Sequence, residues 1–426
     1  MINKKTAIIL FAISFLLIDN KWPALDDILV KYTHSSLLQQ ELFEKSKMSL
    51  GRYDNIRNRN IYSDLKLSTN TYDENIFQKL VKEDRSVFMK KENATILMLV
   101  RNCEIKEALA SMRSLEDRFN WKYNYDWTFL NDELFTYEFK DATKAMASGN
   151  VNYELIPSED WDCPSTINQT LYQEKLDEME ANGVIYGGSK SYRNMCRFNS
   201  GFFFRQEILK QYDYYFRVEP DVEYFCDFPY DPFSVMREKG KKYGFVMAIY
   251  DYENTIPTLW DTVEEYIDDK GHDNKIDMKN NAYKFLTDKE VIGVYGPYLG
   301  SNSDYNLCHF WSNFEIGDLN FFRSDKYIKF FNYLDSKEGF YYERWGDAPV
   351  HSIAVSLLLN RDEIIHFDEL GYSHYPFDTC PTSYHLRVVQ RCKCDYEADS
   401  NIAINFNSCL MRWWRNGSGK TFIKDT

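Results

Sequence analysis

Two carboxylates follow an aromatic run in the stretch YYFRVEPDVEYFCD, which covers residues 214–227. Tyr, Phe and Val favour strands, and proline cannot continue a hydrogen-bonded ladder, so the run predicts a strand that ends near Glu219. Ligands of open α/β sheets lie beyond the carboxyl ends of the strands. Glu219 and Asp221 therefore offer oxygen ligands to a divalent cation, such as Mg²⁺ or Mn²⁺, that is held against a diphosphate. The alternative is a polar turn that only closes the strand.

Polar residues also follow other strand-like runs. Residues 94–100 (ATILMLV) predict a strand that ends at Arg101, and residues 125–130 predict a second strand that ends close to Asp132. A helical pattern over 105–118 separates the two, and residues 151–156 predict a third strand. This order of strand, polar tip and helix is typical of a nucleotide-binding sheet, although the dinucleotide fingerprint G-x-G-x-x-G is absent from the sequence. The sequence thus predicts an α/β fold, with Arg101 and Asp132 as candidates for binding a nucleotide.

The stretch 186–204 (YGGSKSYRNMCRFNSGFFF) combines glycines with basic and hydroxyl side chains. We interpret it as a flexible loop that brings Tyr192 and Arg197 to a diphosphate. The alternative is a set of surface arginines beside a buried aromatic turn.

Three further residues could do chemistry in the second half of the chain. Glu315 is an isolated acid among aromatic and amide residues, and His374 follows a late strand predicted over 364–367. Asp347 precedes Pro349 in a pattern that predicts a helix start, with Asp347 as the cap. Together with the carboxylates after residue 218, these residues could support a metal-assisted group transfer. A histidine such as His374 is also a common structural hydrogen-bonding group.

Composition limits the possible partners. A formal net charge of −14 at pH 7 argues against nucleic acid, because phosphate backbones are bound by clustered Lys and Arg. A phosphate ligand must therefore be small and neutralised locally by a cation or a few arginines. The 426 residues include 32 Tyr and 30 Phe, which fit a sugar-binding pocket and fit an aromatic core equally well.

The N-terminus has the order of a targeting segment. Lys4 and Lys5 precede an apolar run over residues 7–18. The run is shorter than the ~20 residues that usually span a bilayer, which favours a cleaved signal peptide. No small-x-small cleavage pattern follows it, however. We therefore expect a cytosolic tail over 1–6, an uncleaved signal anchor over 7–18, a stem over 19–92 and a folded domain over 93–426.

Cysteines and sequons agree with a lumenal location. None of the nine cysteines precedes Cys103, and four lie near the C-terminus: Cys380, Cys392, Cys394 and Cys409. These four fit disulfides in the secretory pathway, or a zinc site as the alternative. We expect disulfides, and we expect Cys103 and Cys163 to be unpaired. N-x-S/T sequons lie at Asn93, Asn168 and Asn416.

Long motifs in conserved order resemble one known family. They are LVRN, RSLEDRFN, DWTFLND, AMASG, IPSEDW, YGGSKSYRNMCRFNSGFFF, YDYYFRVEPDVEYFCD, FWSNFEIGDL, YYERWGDAPVHS and FDELGYSH. Over residues 93–414 the chain resembles the fungal GDP-mannose-dependent α-1,2-mannosyltransferases of glycosyltransferase family fifteen. The resemblance implies a lumenal catalytic domain of GT-A type, with a mixed, mostly parallel sheet flanked by helices. It also implies a Golgi type II membrane protein that uses Mn²⁺ to transfer mannose from GDP-mannose to mannosylated N- or O-linked glycoproteins, with retention of configuration.

The resemblance also implies roles for single residues. Glu219 and His374 become the expected metal ligands, and Asp221 a water-mediated contact. Tyr192 becomes the expected donor contact, Glu315 the proposed nucleophile and Asp347 a second candidate acid. The donor site is expected to include the following residues as well: Arg101, Asp132, Arg197 and Arg217.

Two questions stay open from the sequence. Retention of configuration is reached either through a glycosyl-enzyme on Glu315 or by same-face attack, in which Glu315 only stabilises positive charge. The alternatives in function are a catalytically silent mannan-binding or scaffold protein on the same fold, or mannosylphosphate transfer.

Overall fold

The computed structural model of the protein describes residues 91–269, 276–289 and 303–419. The predicted tail and anchor, and the predicted stem up to residue 90, lie outside these described residues. Among the helices of the described part, none combines the length and apolar character that a membrane span requires.

A seven-stranded sheet organises the fold, in the order β10-β6-β9-β4-β1-β2-β3. A three-stranded sheet, β12-β11-β5, and a two-stranded sheet, β7-β8, lie outside it. The strands are β1 Ala94–Leu99, β2 Asp126–Asn131, β3 Val151–Leu155, β4 Tyr214–Val218, β5 Glu223–Tyr224, β6 Tyr243–Phe245, β7 Ala248–Tyr250, β8 Cys308–Phe310, β9 Phe314–Asp318, β10 Ile364–His366, β11 Tyr372–His374 and β12 Phe377–Thr379.

The sheet is mixed because β9 runs antiparallel to both of its neighbours, β4 and β6, whereas the other pairs are parallel. The first strand is a continuous apolar run, and five of its six residues are buried. Strands of this kind are covered on both faces, which helices do here. The predicted α/β class and mixed, mostly parallel sheet are confirmed.

The α-helices are α1 Ile105–Leu115, α2 Trp121–Tyr123, α3 Tyr137–Met146, α4 Ser158–Trp161, α5 Gln169–Ala181, α6 Lys190–Gly201, α7 Pro232–Glu238, α8 Leu259–Asp268, α9 Tyr283–Thr287, α10 Leu319–Phe322, α11 Asp325–Asp335, α12 Gly339–Tyr342, α13 Asp347–Leu358, α14 Tyr384–Val389 and α15 Leu410–Asn416. A π-helical turn, Glu116–Asn120, follows α1 and takes the place of the end of the helix predicted over 105–118.

The flexible loop predicted over 186–204 is wrong, because most of it is helix α6. The Ser189 side chain accepts a hydrogen bond from the Tyr192 N–H and caps the helix. Arg193, Cys196, Arg197 and Ser200 are all buried, and their spacing places them on one face of a helix. Of the glycines that suggested a loop, Gly187 and Gly188 lie before the cap and Gly201 is the last residue of the helix.

Residues 243–250 form two short strands, since β6 belongs to the central sheet and β7 pairs with β8 in another. One other prediction needs correction. Asp347 does not cap α13, because Gly346 occupies the cap position and Asp347 is the first helical residue. This shift frees the Asp347 carboxylate for contacts with the sheet.

Three disulfides involve the C-terminal part: Cys226–Cys392 and Cys308–Cys409 link it to the rest of the domain, and Cys380–Cys394 lies within it. All four C-terminal cysteines are paired, as predicted, and Cys103 and Cys163 are free, as predicted. In the described residues, the group of potential metal ligands that lie within 4.8 Å of one another is Cys226, Cys392 and Cys394. Their sulfurs are in disulfides, so no thiolate is left for zinc.

Candidate active site

Arg217 is the centre of a buried acidic cluster at the carboxyl ends of the parallel strands. Its Nε donates to Glu219 Oε1 at 2.6 Å, and its Nη1 donates to Asp347 Oδ2 at 2.6 Å. The same Nη1 lies 3.8 Å from Glu315 Oε1. The nearby carboxylates raise the pKa of Arg217 against the effect of burial, so the guanidinium is charged. One cation thus holds three acids that are distant in sequence.

Strand register explains why Glu315 meets Arg217. The two residues are directly opposite each other in the antiparallel β4–β9 pair, so their side chains leave the same face of the sheet. Gly317, two residues further along, faces Tyr215 and Tyr243 in the neighbouring strands. A Cβ on Gly317 would lie 2.4 Å from the Tyr215 ring. The absence of a side chain there lets both tyrosines reach Glu315.

Glu315 is enclosed by hydrogen-bond donors. The Tyr215 hydroxyl donates to Oε1 at 2.9 Å, and the Tyr243 hydroxyl donates to Oε2 at 2.9 Å. His351 Nδ1 lies 3.0 Å from Oε2. The residue is 1% exposed, and the cavity beside it has about 10 Å³, which is room for one water at most.

The contacts of His351 fix the net charge of the Glu315–His351 pair. His351 Nε2 lies 2.9 Å from the backbone oxygen of Asn199, which can only accept, so Nε2 carries a proton. A second proton must then lie between Nδ1 and Glu315, since two facing lone pairs would repel. The pair is therefore an imidazolium with a carboxylate, or a neutral imidazole with a carboxylic acid. Its net charge is zero in either form.

Asp347 has the opposite character. It lies one helical turn before His351 on α13, so both side chains face the sheet. Burial alone would raise its pKa, but Arg217 and His351 hold the pKa of Asp347 below its usual range. Its Oδ2 also accepts from the Ser312 hydroxyl at 2.8 Å. Asp347 is therefore an ionised carboxylate whose oxygen Oδ2 accepts hydrogen bonds from both Arg217 and Ser312.

The proposed metal ligands meet through the second sheet. β5, which follows the Glu-Pro-Asp turn, pairs with β11, which ends at His374. Asp221 acts electrostatically on the His374 imidazole and adopts a left-handed φ of 63°. In the part of the chain that the structure describes, Glu219, Asp221 and His374 do not form a group with all ligand atoms within 4.8 Å. The turn thus brings the three residues to one region without gathering them into a closed cage.

The chemistry of these donors nevertheless fits Mn²⁺. His374 Nδ1 lies 3.1 Å from the Tyr375 carbonyl, which only accepts, so Nδ1 holds the proton and Nε2 keeps a lone pair. Burial lowers the pKa of His374, which favours the neutral, ligating form. Glu219 uses Oε1 for Arg217, and its side chain is 22% exposed. One imidazole and one carboxylate are a donor set that Mn²⁺ accepts.

The other predicted donor-site residues have different surroundings. Arg101 and Asp132 follow the adjacent parallel strands β1 and β2, so they lie at the same edge of the sheet as Glu219. Arg101 is exposed and pairs with Glu104. Arg197 is buried and makes a bidentate pair with Asp335 on α11, at 2.7 and 2.8 Å. The role of Arg197 in donor binding stays a prediction. In the structure, its guanidinium is already paired with Asp335.

Tyr192 lies at the start of α6, beside a guanidinium. The Arg344 guanidinium carbon is 5.1 Å from the centre of its ring, and Tyr186 stacks on the ring at 4.4 Å. Burial raises the pKa of Tyr192, so the hydroxyl stays protonated and can donate a hydrogen bond. Asp347 also acts on this hydroxyl electrostatically, which places Tyr192 and the acidic cluster in one site.

The sequence interpretation did not identify His351, Tyr215 or Tyr243 as site residues. The signal for His351 was its spacing from Asp347, since residues four apart share a helical face. Tyr215 is two residues before Arg217, so both side chains leave the same face of β4. For Tyr243 the sequence held no such signal, because the partner strand of β9 is known only from the fold.

Comparison with known proteins identifies the family of the chain. Residues 46–418 match the family model described as glycolipid 2-alpha-mannosyltransferase, and this match begins inside the predicted stem. The chain is 61% identical over 396 residues to the probable mannosyltransferase KTR2 of Saccharomyces cerevisiae, covering 93% of this chain and 92% of that protein. It is 47% identical over 309 residues to the alpha-1,2 mannosyltransferase KTR1 of the same yeast, covering 72% and 75%.

Solved structures of two mannan-synthesising or mannosyltransferase proteins are similar in fold to this chain. The Mn/GDP form of core-mannan synthase A from Aspergillus fumigatus has a TM-score of 0.71 and 37% identity, over 78% of this chain and 87% of that one. The mannosyltransferase Ktr4p from Saccharomyces cerevisiae, in complex with GDP, has a TM-score of 0.70 and 37% identity, over 77% and 83%. The predicted GT-A-type fold is confirmed by these neighbours. The chain belongs to the glycolipid 2-alpha-mannosyltransferase family of fungal glycosyltransferases.

Proposed function

We propose that the protein is a GDP-mannose-dependent α-1,2-mannosyltransferase that acts on mannosylated glycoproteins with retention of configuration. The observation that carries this proposal is the convergence of Glu219, Glu315 and Asp347 on Arg217 at the carboxyl edge of the sheet. Relatives named as mannosyltransferases, and a neighbour solved with Mn and GDP, support it.

Glu219 and His374 would hold Mn²⁺, with Asp221 in contact through a water. When bound, Mn²⁺ acts as a Lewis acid that stabilises negative charge on the departing diphosphate. Arg217 keeps Glu219 in place and neutralises part of the acidic cluster, so that an anionic donor is not repelled. Arg101 and Asp132 lie at the same edge and would contact the nucleotide.

Asp347 is the acid that we assign to the reacting centre. It is ionised and held by Arg217 and Ser312. A carboxylate in this state stabilises the positive charge that develops on the mannosyl ring. Tyr192 would orient the donor through its protonated hydroxyl.

Glu315 fits a positioning role. Its charge is cancelled within the pair with His351, both oxygens accept hydrogen bonds, and the cavity beside it has no room for a sugar. Glu315 accepts hydrogen bonds from Tyr215 and Tyr243 and lies on the same face of the sheet as Arg217. It therefore holds these residues in place at the bottom of the site. This assignment favours same-face attack, in which the departing phosphate takes the acceptor proton, over a glycosyl-enzyme on Glu315.

The test is turnover by the full chain with GDP-mannose, Mn²⁺ and an α-mannoside acceptor, with the product linkage determined by NMR. An α-1,2-linked product with release of GDP is expected. Absence of transfer to any mannoside would overturn the proposal. A mannan-binding scaffold would bind the mannoside without releasing GDP, whereas mannosylphosphate transfer would release GMP.

We further propose that the protein is a Golgi type II membrane protein anchored by residues 7–18, with a lumenal catalytic domain. The three disulfides support an oxidising compartment. Asn168 is exposed, and its Oδ1 caps α5 by accepting from the N–H groups of Thr170 and Leu171. Both bonds use Oδ1, so Nδ2 of this exposed residue stays available to carry a glycan. In contrast, Asn93 and Asn416 use Nδ2 as a donor to other residues.

A further inference from the structure

Three polar side chains next to the acidic cluster, two of them buried and the third partly buried, are not used by the proposed reaction. They are Asp251, His309 and Arg344. We propose that they form a saccharide subsite, which binds adjacent hydroxyl groups of a mannosyl residue beside Asp347. This inference rests on the proposed function and extends it to how the sugar is recognised.

Arg344 has the clearest need for a ligand. It is 4% exposed, and its Nε has no hydrogen-bond partner in the described part of the chain. The nearest acids in sequence are committed elsewhere: Glu343 accepts from Thr258 and Trp345, and Asp347 from Arg217 and Ser312. The other buried arginines all donate to protein acceptors: Arg193, Arg197, Arg217 and Arg412. A buried guanidinium without such bonds is costly, which points to an oxygen-rich ligand.

The position of Arg344 over the Tyr192 ring limits the directions in which its N–H groups can donate hydrogen bonds. The guanidinium carbon is 5.1 Å from the ring centre. A guanidinium that lies against a ring keeps its N–H groups pointing outward in its own plane. Those donors are therefore free for acceptors that lie beside the Tyr192 ring, where the donor sugar is expected.

His309 and Asp251 are spaced so that one hydroxyl can bridge them from the side. His309 Nδ1 has no hydrogen-bond partner among the described residues and lies 3.9 Å from Asp251 Oδ2. This distance is too long for a direct hydrogen bond. A hydroxyl beside the two atoms can bond to both, because it donates its proton to the carboxylate while its oxygen accepts from the Nδ1–H of His309. Burial lowers the pKa of His309, so the ring is neutral and suits an uncharged ligand.

Backbone contacts bring the three residues together. Asp251 follows β7 directly, and its N–H donates to Leu307 O at 2.8 Å, two residues before His309. The Arg344 N–H donates to Thr255 O at 3.1 Å, in the turn that follows Asp251. Arg344 and Asp347 both act on His309 electrostatically. The subsite is thus continuous with the acidic cluster. Tyr252, which follows Asp251 in sequence, is 63% exposed and lies at the edge of the subsite.

A carboxylate, a guanidinium, a neutral imidazole and an exposed ring match the chemistry of a sugar. Vicinal hydroxyls supply donors for Asp251 and acceptors for Arg344, and the apolar face of the pyranose can pack on a tyrosine ring. The mannosyl residue has two sources, the donor and the acceptor. The binding experiment below separates them.

The experiment uses the full chain and the variants Asp251→Asn and Arg344→Lys, with Asp261→Asn as the matched control. Asp261 is an exposed acid on α8, so its replacement tests the loss of one charge outside the subsite. Calorimetry with Mn²⁺ present measures affinity for GDP, for GDP-mannose, and for methyl α-mannoside with GDP bound. Thermal melts confirm that each variant folds.

Loss of one charge-assisted hydrogen bond weakens binding by roughly tenfold or more. We expect this loss in both subsite variants and not in Asp261→Asn, with GDP affinity unchanged. A loss for methyl α-mannoside assigns the subsite to the acceptor, and a loss for GDP-mannose alone assigns it to the donor sugar. Folded variants that bind all three ligands like the wild type would overturn the subsite. Failure of the wild type to bind GDP would instead count against the proposed function.

Discussion

Replacing Glu315 by Gln separates a positioning role from a nucleophilic one. The amide has the shape of a protonated carboxyl group, and the Glu315–His351 pair already holds the equivalent proton. The Gln NH₂ can donate to His351 Nδ1 and to the Tyr243 hydroxyl, while the Gln oxygen accepts from Tyr215. We therefore expect Glu315→Gln to keep the enclosing hydrogen bonds.

The hydrogen bonds around Glu315 set the size of the effect that Glu315→Gln should have. With one hydrogen bond rearranged, the free energy of unfolding should fall by about 1 kcal/mol. If the same loss reaches the transition state, kcat falls by roughly fivefold. Removal of a nucleophile would instead lower kcat by on the order of 10⁴-fold or more. Asp347→Asn, which removes the ionised acid next to Arg217, should have that larger effect.

The assay is the initial rate of GDP release at saturating GDP-mannose, Mn²⁺ and mannoside, with urea unfolding of each variant as the control for folding. Glu315→Ala is the contrasting variant, since it leaves Tyr215, Tyr243 and His351 without their acceptor and should lower the free energy of unfolding by about 3–5 kcal/mol. A folded Glu315→Gln that loses 10⁴-fold in kcat, together with an active Asp347→Asn, would refute the reasoning.

Three further predictions concern the metal, the compartment and the disulfides. Glu219→Ala should abolish Mn²⁺-dependent turnover while Asp221→Asn keeps part of it, and the reverse order in a Mn²⁺ titration would contradict the ligand assignment. Thr170→Ala destroys the sequon but keeps the Asn168 cap, so it should abolish a glycosidase-sensitive gel shift that Thr170→Ser retains; a shift that persists in Thr170→Ala would mean that another sequon carries the glycan. Replacing Cys308–Cys409, which closes 101 residues, by serines should lower the free energy of unfolding by about 4.7 kcal/mol, and an unchanged urea midpoint would contradict this.

The strand ends were predictable because local chemistry decides them. Pro220 cannot continue a ladder, and β4 ends at Val218, before Glu219, as predicted. The apolar run over residues 94–100 likewise predicted strand β1 from local residue types alone. The region 186–204 was not predictable from its glycines, because the capping Ser189 and the buried spacing of α6 outweigh them. Asp347 was placed near a helix start correctly, but its carboxylate binds Arg217 because that cation is close only in the folded chain.

The sequence by itself determined the α/β class, the polar tips of the strands, the family resemblance and the acids that could carry chemistry. Each of these depends on residue types within a few positions of one another. Only the tertiary structure decided how the acids differ. The register of β9 against β4 places Glu315 opposite Arg217, Gly317 admits the two tyrosines, and α13 supplies His351. The charge of Glu315 is thereby cancelled within its pair with His351 and Asp347 is left ionised, because a carboxylate's charge is balanced by the groups that surround it in space.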